Sequence, residues 1–179
     1  MLIASVVLCL LGGGTASAAG KKGGCKWANT MPNELTKKQA RAAVHCLTNA
    51  QRREHGLSTL RYSKRLERAA VAHNREMVGT GCFAHECPGE PAVVNRLREV
   101  GYILKKLVYW AFGENLAWGE RERGTPQAVT DALFASPGHR ENILNPKFRH
   151  IGIAFHKGTP ASADVVGGVY TIEFGARKN

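Results

Sequence analysis

The cysteines of this chain constrain its fold more than any other sequence feature. Of five cysteines, Cys9 lies in an apolar leader and is set aside. The remaining four are Cys25, Cys46, Cys82 and Cys87. An even number of cysteines in an exported chain predicts disulfide bonds, and no Cys-x-x-Cys pair typical of a zinc site occurs. Three connectivities are possible. We favour Cys25–Cys46 with Cys82–Cys87, because the second pair would bracket a turn that contains His85.

Residues 1–19 read as a secretory signal peptide. They carry no charge, and their apolar run is followed by small residues that include Ala16-Ser17-Ala18, a suitable peptidase site. The run is too short to span a bilayer comfortably, so we expect cleavage near Ala18 or Ala19. The mature protein is therefore predicted to be secreted and to have no transmembrane segment.

The mature chain has the length of one domain. We expect a basic, glycine-rich segment over residues 20–34, followed by a single domain over residues 35–179 that is a monomer. The chain of 179 residues carries a formal net charge of +11, and removal of the leader takes away no charge. This balance predicts an anionic partner, such as lipid headgroups or a cell-wall polymer. Scattered basic residues and few aromatic residues argue against a nucleic-acid partner.

Apolar periodicity predicts helices first and a sheet later. Four amphipathic helices are expected, and they start after Thr36, Ser63, Pro91 and Thr125. A short strand is expected at Leu116–Trp118, a solvated charged loop at Glu120–Gly124, and two antiparallel strands near residues 149–156 and 165–174. Because strands and helices do not alternate regularly, this order favours an α+β architecture over a doubly wound sheet.

Three polar residues in turn-like segments form the candidate site. Glu114 follows Gly113 directly, before the apolar run Leu116-Ala117-Trp118, so we expect it at a tight turn near the core. His85 and His139 lie in comparable segments. Two imidazoles and a carboxylate suit a divalent metal such as Zn²⁺, or acid-base catalysis. His73, on an apolar helix stripe, is expected to be a hydrogen-bonded core histidine.

Four stretches in order resemble one family. They are the opening helix with Leu47-Thr48-Asn49 and His55-Gly56-Leu57, then Phe83-Ala84-His85, then Gly113-Glu114-Asn115-Leu116-Ala117-Trp118-Gly119, and finally Ser136-Pro137-Gly138-His139-Arg140-Glu141-Asn142-Ile143-Leu144. From Leu47 to Gly175 the chain resembles the CAP superfamily of cysteine-rich secretory, antigen 5 and pathogenesis-related proteins. The resemblance is strongest to the bacterial secreted branch of that family.

The resemblance implies a three-layer α-β-α sandwich with a central antiparallel sheet. It also implies a surface cleft lined by two histidines and two acids, which holds divalent metals in some members. His85 and Glu114 match the family pattern directly. The second histidine is His139 by the bacterial pattern or His150 by the eukaryotic one. No second acid matches, and Ile172 stands where many bacterial members have glutamine.

Two functions follow from this resemblance and from the residues. The first is a secreted binding module, whose cleft takes a divalent metal and a small or surface ligand such as a lipid or cell-envelope component. The alternative is a metal- or histidine-dependent hydrolase of the peptidase or esterase type, with Glu114 as general base or a histidine activating Ser136. Ser136 also fits the role of a helix cap. The sequence leaves open whether the protein is an enzyme.

Overall fold

The structure, a computed structural model, describes residues 24–178, so the predicted signal peptide lies outside the described residues. The helices are α1 (Lys37–Glu54), α2 (Lys64–Thr80), α3 (Val93–Glu99), α4 (Pro126–Ala135) and α5 (Pro137–Leu144). The strands are β1 (Arg61–Tyr62), β2 (Tyr109–Glu120), β3 (His150–Lys157) and β4 (Gly167–Lys178). The predicted α+β class is confirmed.

The four predicted helix starts are confirmed, and three of them, those of α1, α2 and α4, carry side-chain capping hydrogen bonds. The Thr36 hydroxyl accepts from the Gln39 backbone N–H at 3.2 Å, and the Gln39 side chain accepts from the Thr36 N–H at 2.8 Å. This reciprocal pair satisfies two backbone donors that the first turn of a helix leaves without partners. Ser63 and Thr125 cap α2 and α4 through their hydroxyls alone, which accept from the Leu66 and Ala128 backbone N–H groups.

The four strands form one sheet in the order β1-β3-β4-β2. β4 pairs antiparallel with both β3 and β2, which confirms the central antiparallel sheet, and the two-residue β1 adds in parallel to β3. The strand predicted at Leu116–Trp118 is confirmed, but it is longer than expected. β2 has 12 residues, and Glu114 lies in the middle of this strand rather than at a turn. Gly113 does not break the strand because its φ is not positive.

One face of the sheet packs against α1, α4 and α5. Ile151, Ile153 and Phe155 alternate along β3 toward this layer, and Tyr170, Ile172 and Phe174 do so along β4. They meet apolar side chains of the helices: Ala40, Val44, Val129, Leu133 and Ile143. Because these residues are 0–3% exposed, this layer is the main hydrophobic core.

The other face packs against α2, which completes the three-layer sandwich. Gly152 in β3 makes this close approach possible. A Cβ atom at position 152 would lie 2.2 Å from backbone atoms of Leu66 and Glu67, so any other residue would push α2 off the sheet. A smaller apolar cluster then joins α2 to α3 through Leu66, Ala69 and Leu97.

Both predicted disulfides are present, Cys25–Cys46 and Cys82–Cys87. The first ties the N-terminal segment to α1. From Cys25 onward this segment packs on the domain, since Ala28 is buried and its carbonyl accepts from the Gln127 N–H at 2.8 Å.

In the segment predicted as a solvated charged loop, Glu120–Gly124, residues 121–123 are exposed as expected, but they form a 3₁₀ turn, Arg121–Gly124. Gly124 is buried, and its carbonyl accepts a hydrogen bond from the Tyr170 hydroxyl at 2.8 Å. This contact fixes the chain between β2 and the start of α4, so the charges of the segment do not keep its backbone in solvent.

Candidate functional site

Glu114 occupies a row of residues that crosses the sheet. In the strand register, Glu114 in β2 is opposite Glu173 in β4, and Glu173 is opposite Gly152 in β3. Since directly paired residues share a face, both carboxylates lie on the face that Gly152 opens to α2. The Glu114 side chain is only 2% exposed. The site is therefore built on a rigid strand, although the sequence suggested a turn.

His85 projects from the turn between α2 and α3, which the Cys82–Cys87 disulfide closes. Its Nδ1 lies 2.7 Å from Glu114 Oε1, while its side chain is 58% exposed. The hydrogen bond to Glu114 raises the pKa of His85 above its ordinary value, against the opposing effect of partial burial. The result is an accessible imidazole with a fixed orientation, and its Nε2 is left for a ligand.

Arg96 of α3 holds the other side of Glu114. Its Nη2 donates to Glu114 Oε2 at 2.6 Å, and its Nη1 donates to the His85 carbonyl at 2.9 Å and lies 3.0 Å from a Glu90 oxygen. His73 Nδ1 lies 2.8 Å from the same Glu90 carboxylate, which confirms the expectation of a hydrogen-bonded core histidine. The buried side chains of Glu114, Arg96 and Glu90 thus alternate in charge and hold the exposed His85 imidazole in position.

Glu173 lies behind Glu114 and is completely buried. Burial raises the pKa of Glu173 well above its usual range, and the negative charge of Glu114 raises it further. For Glu114, burial opposes ionisation, but hydrogen bonds from His85 and Glu173 and the charge of Arg96 lower its pKa. Neither Glu173 oxygen receives a hydrogen bond from the described residues. Burial and the adjacent negative charge of Glu114 therefore favour the protonated form of Glu173.

His139 approaches from the other side of β2, in the first turn of α5. Its Nδ1 lies 2.9 Å from the Ser136 hydroxyl, so Ser136 stands at the N-cap position but bonds this ring rather than a backbone N–H. Burial lowers the pKa of His139, and the positive charge of the neighbouring His85 lowers it further.

Amide side chains fix α5 to β2 at this point. The Asn142 amide donates to the Glu114 carbonyl at 3.2 Å and to Asn115 Oδ1 at 2.8 Å, and the Asn115 amide donates to the His139 carbonyl at 3.0 Å. Gly113 provides the necessary space, because a Cβ there would lie 2.5 Å from Asn142 Oδ1. The motif Gly-Glu-Asn thus combines a close approach, a buried acid and an anchor for the second histidine.

His150 lies elsewhere. It begins β3, where its Nδ1 is 2.9 Å from the Tyr102 hydroxyl and its Nε2 is 3.4 Å from an Arg61 nitrogen. Burial lowers the pKa of His150, as do the charges of Arg61 and Arg177. His150 therefore lies among cations and contacts neither His85 nor Glu114 in any hydrogen bond of the described residues.

The arrangement of these side chains limits which of them could bind a metal ion. Within residues 24–178, no three or more His, Cys, Asp or Glu side chains are grouped in a way that could hold a metal ion. Glu114 gives the physical reason, because Arg96 takes one of its oxygens and His85 takes the other. The residues fit a pair of imidazole donors with Glu114 orienting one of them. They do not fit a set in which Glu114 itself binds the ion.

Sequence reasoning missed Glu90, Arg96 and Glu173. Glu90 and Arg96 carry no local signal, since they meet Glu114 only through the folding of α2 and α3 around the turn. Glu173 carries one signal. It interrupts an otherwise apolar strand, in which burial on both sheet faces leaves no exposed position for a carboxylate.

The family pattern of CAP, the cysteine-rich secretory protein family, matches residues 46–173. The chain therefore belongs to the CAP family, as its motifs indicated. A relative, the uncharacterized protein YkwD of Bacillus subtilis (strain 168), is 36% identical over 109 residues, which are 61% of this chain and 39% of that protein. The chain thus corresponds to about two fifths of this relative's length.

Two solved structures share the fold. An extracellular protein containing an SCP domain from Bacillus anthracis aligns over 80% of this chain and 41% of its own, with a TM-score of 0.63 and 23% identity. An outer surface protein from Borrelia burgdorferi aligns over 80% of this chain and 97% of its own, with a TM-score of 0.66 and 19% identity. None of the helices between residues 24 and 178 combines the length and apolar character that crossing a bilayer requires.

Proposed function

We propose that this protein is an exported CAP-domain binding module that takes a divalent cation and a small or surface ligand at the His85–His139 cleft. The observation that carries the proposal is the support of His85. An imidazole that is 58% exposed is held by a carboxylate that is 2% exposed, and Arg96 holds that carboxylate in turn. Such an arrangement keeps a surface histidine in one orientation, which a ligand site needs and a solvated side chain does not.

The donor atoms fit a cation such as Zn²⁺. His85 and His139 each use Nδ1 within the protein, so each has Nε2 for a metal. A carboxylate behind a ligating histidine fixes the tautomer and increases the basicity of the ring, and Glu114 has this position relative to His85. Two imidazoles leave coordination positions for water or for a polar group of the ligand.

An exposed aromatic residue near His85 in the chain is consistent with a ligand that is partly apolar. Phe83, two residues before His85 in the same disulfide-closed turn, is 41% exposed. An exposed ring beside a fixed imidazole offers apolar contact next to a polar anchor. This combination supports a lipid or another cell-envelope component with a polar head. The predicted signal peptide and the net charge of +11 support export and an anionic surface as the place of action.

The hydrolase alternative is not favoured. A general base needs a carboxylate oxygen that can receive the proton, and both Glu114 oxygens are already hydrogen-bonded, to His85 and Arg96. Ser136 does meet His139, but the contact is made within a single helical turn. Glu114 therefore acts here as a positioning residue for His85.

Zinc titration by calorimetry tests the proposal. We expect wild-type protein to bind Zn²⁺ at about pH 7.5 and to bind it much more weakly at about pH 5.5, because protonated imidazoles cannot coordinate. The raised pKa of His85 extends this proton competition toward neutral pH. His85→Ala and His139→Ala should each lower the zinc affinity by roughly tenfold or more, as expected for loss of a ligand.

His150→Ala is the matched control, since it removes an imidazole that lies among cations outside the cleft. This variant should keep the wild-type zinc affinity. Unchanged affinity in both His85→Ala and His139→Ala would move any metal site away from the cleft and refute the proposal. Equal losses in all three variants would instead indicate binding by scattered surface histidines.

A further inference from the structure

We propose that the outer face of α2, together with neighbouring cations, binds the phosphate groups of an extended anionic polymer. We call this surface the basic band. Its cationic residues are Arg41, Lys64, Arg65, Arg68, Arg75 and Arg177. The inference rests on the anionic partner proposed above and identifies where that partner binds. It does not depend on the His85–His139 cleft.

The first part of the band follows α2. Lys64, Arg68 and Arg75 are at helical positions i, i+4 and i+11, which lie on one face of an α-helix. That face is opposite to the buried residues of α2, and Arg41 from α1 joins it to line a cavity of about 620 Å³. Eleven residues of helix span about 16 Å, so these charges form a line rather than a point.

The second part continues from the same residues. A neighbouring cavity of about 440 Å³ is lined by Lys64 and Arg68 again, and also by Arg65, Arg177 and His150. Because Lys64 and Arg68 line both cavities, the two adjoin along the start of α2. A chain-like ligand could follow them from the start of α2 to the edge of β3.

The band has little negative charge to balance it. Among the described residues that line the two cavities, Glu67 is the one carboxylate. Its oxygens already pair with Arg41 and with Lys64, the latter at 2.9 Å. Burial lowers the pKa of His150, at the far end of the band, and the positive charges of Arg61 and Arg177 lower it further. The electrostatic potential at this end is therefore positive.

Arg41 provides a second, independent observation. Its Nε is buried and has no hydrogen-bond partner among the described residues. A buried N–H without a partner is costly, and Arg41 also lines the cavity beside α2. Arg41 also lines a third, small cavity together with Lys37 and Arg75, so this donor lies where the basic band continues toward α1.

Phosphate is the group that this surface fits best. Guanidinium groups bind phosphate oxygens through paired, charge-assisted hydrogen bonds, and the band consists mainly of arginines. The line of charges is longer than one small anion, which favours a polymer with repeated phosphates. The rings that line the band do not form a stacking platform, since Tyr102 is buried and Lys64 lies over Tyr62. A phosphate polymer without bases is thus favoured over single-stranded nucleic acid.

Fluorescence anisotropy with labelled short-chain inorganic polyphosphate tests the site on the full mature chain. The band variant is Lys64→Gln/Arg65→Gln/Arg68→Gln, and the control is Lys105→Gln/Lys106→Gln/Lys147→Gln, which removes the same charge from exposed lysines elsewhere. We expect the band variant to bind roughly tenfold or more weakly, and to lower the slope of log K against log salt by about three. The control variant should retain most of the affinity. Far-UV circular dichroism and thermal unfolding verify that both variants fold.

The outcomes are separable. Equal losses in the two variants would show that net charge alone drives binding and would overturn the band. Tighter binding of wild type to phosphatidylglycerol vesicles, or to single-stranded nucleic acid, than to polyphosphate would overturn the choice of a phosphate polymer. If wild type binds none of these probes at low salt, the anionic partner itself is refuted, whereas zinc binding in the cleft remains a separate measurement.

Discussion

The face of the sheet covered by α1, α4 and α5 is apolar, with Ile153 and Phe174 among its fully buried side chains, whereas the face covered by α2 contains Glu114 and Glu173. The same strand β4 supplies both faces, since alternate residues point in opposite directions. The apolar face gains free energy from burial. The polar face carries buried charges, and the cost of removing them from water offsets most of their mutual attraction. We therefore interpret these charges as holding His85 in position rather than as stabilising the fold.

Removal of a large side chain from the apolar face should have the largest effect. Phe174→Ala is expected to lower the free energy of unfolding by about 4 kcal/mol, because Phe174 is fully buried and stacks on Phe148. Urea unfolding followed by circular dichroism measures this. Phe112→Ala, which truncates a partly exposed ring in β2, is the control and should cost about 1 kcal/mol or less. Similar losses in the two variants would contradict the assignment of the main core.

Breaking the charge network should have the next largest effect. Arg96→Met is expected to destabilise the protein by about 3 kcal/mol, because it leaves Glu114 and Glu90 buried without their shared cation. It should also weaken zinc binding, since Glu114 would no longer be held against His85. Arg98→Met, in the same helix but exposed, should change stability by about 0.5 kcal/mol or less. A stable Arg96→Met protein with normal zinc affinity would show that the network does not position His85.

The smallest expected effect is an increase in stability, on replacement of Glu173. The folded pKa of Glu173 is raised, so its contribution to stability is present below the unfolded pKa and is lost as pH rises toward the folded pKa. Glu173→Gln keeps a hydrogen-bond donor beside Glu114 and cannot ionise. In metal-free buffer we expect this variant to be more stable than wild type by about 1 kcal/mol near pH 7 and no more stable near pH 4.

Urea unfolding at the two pH values measures the difference, and Glu99→Gln at an exposed site serves as the control. A Glu173→Gln protein that is less stable than wild type at neutral pH would indicate that Glu173 is ionised in the folded state. An ionised Glu173 would then require a second cation near β4 to balance its charge.

What could be predicted from the sequence depended on whether the signal was local. Thr36 with Gln39 and Thr125 with Pro126 are signals within one helical turn, and both helix starts were predicted correctly. The disulfides followed from the turn that one pair encloses. The sequence left residues 102–112 as either a strand or a mobile flap, because an edge strand that exposes aromatic residues does not show the usual alternation, and β2 in fact begins at Tyr109.

The site was predictable only in part for the same reason. The family motifs identified His85, Glu114 and His139, but they could not distinguish His139 from His150. The residues that hold Glu114 come from α3 and β4, at positions 96 and 173, and only the folded chain brings them together. A sequence pattern identifies the atoms offered to a ligand more readily than the buried atoms that keep them in place.

The hydrogen bond from Asn142 to the Glu114 carbonyl has a consequence for self-association. β2 is the last strand of the sheet and presents an open edge, along which Tyr109, Trp110 and Phe112 are partly exposed. Such an edge can template the addition of a strand from another molecule and so begin a fibril. The Asn142 amide occupies an acceptor in the middle of that edge. An incoming strand would meet a side chain there instead of a continuous ladder, so the contact that anchors α5 also hinders aggregation through β2.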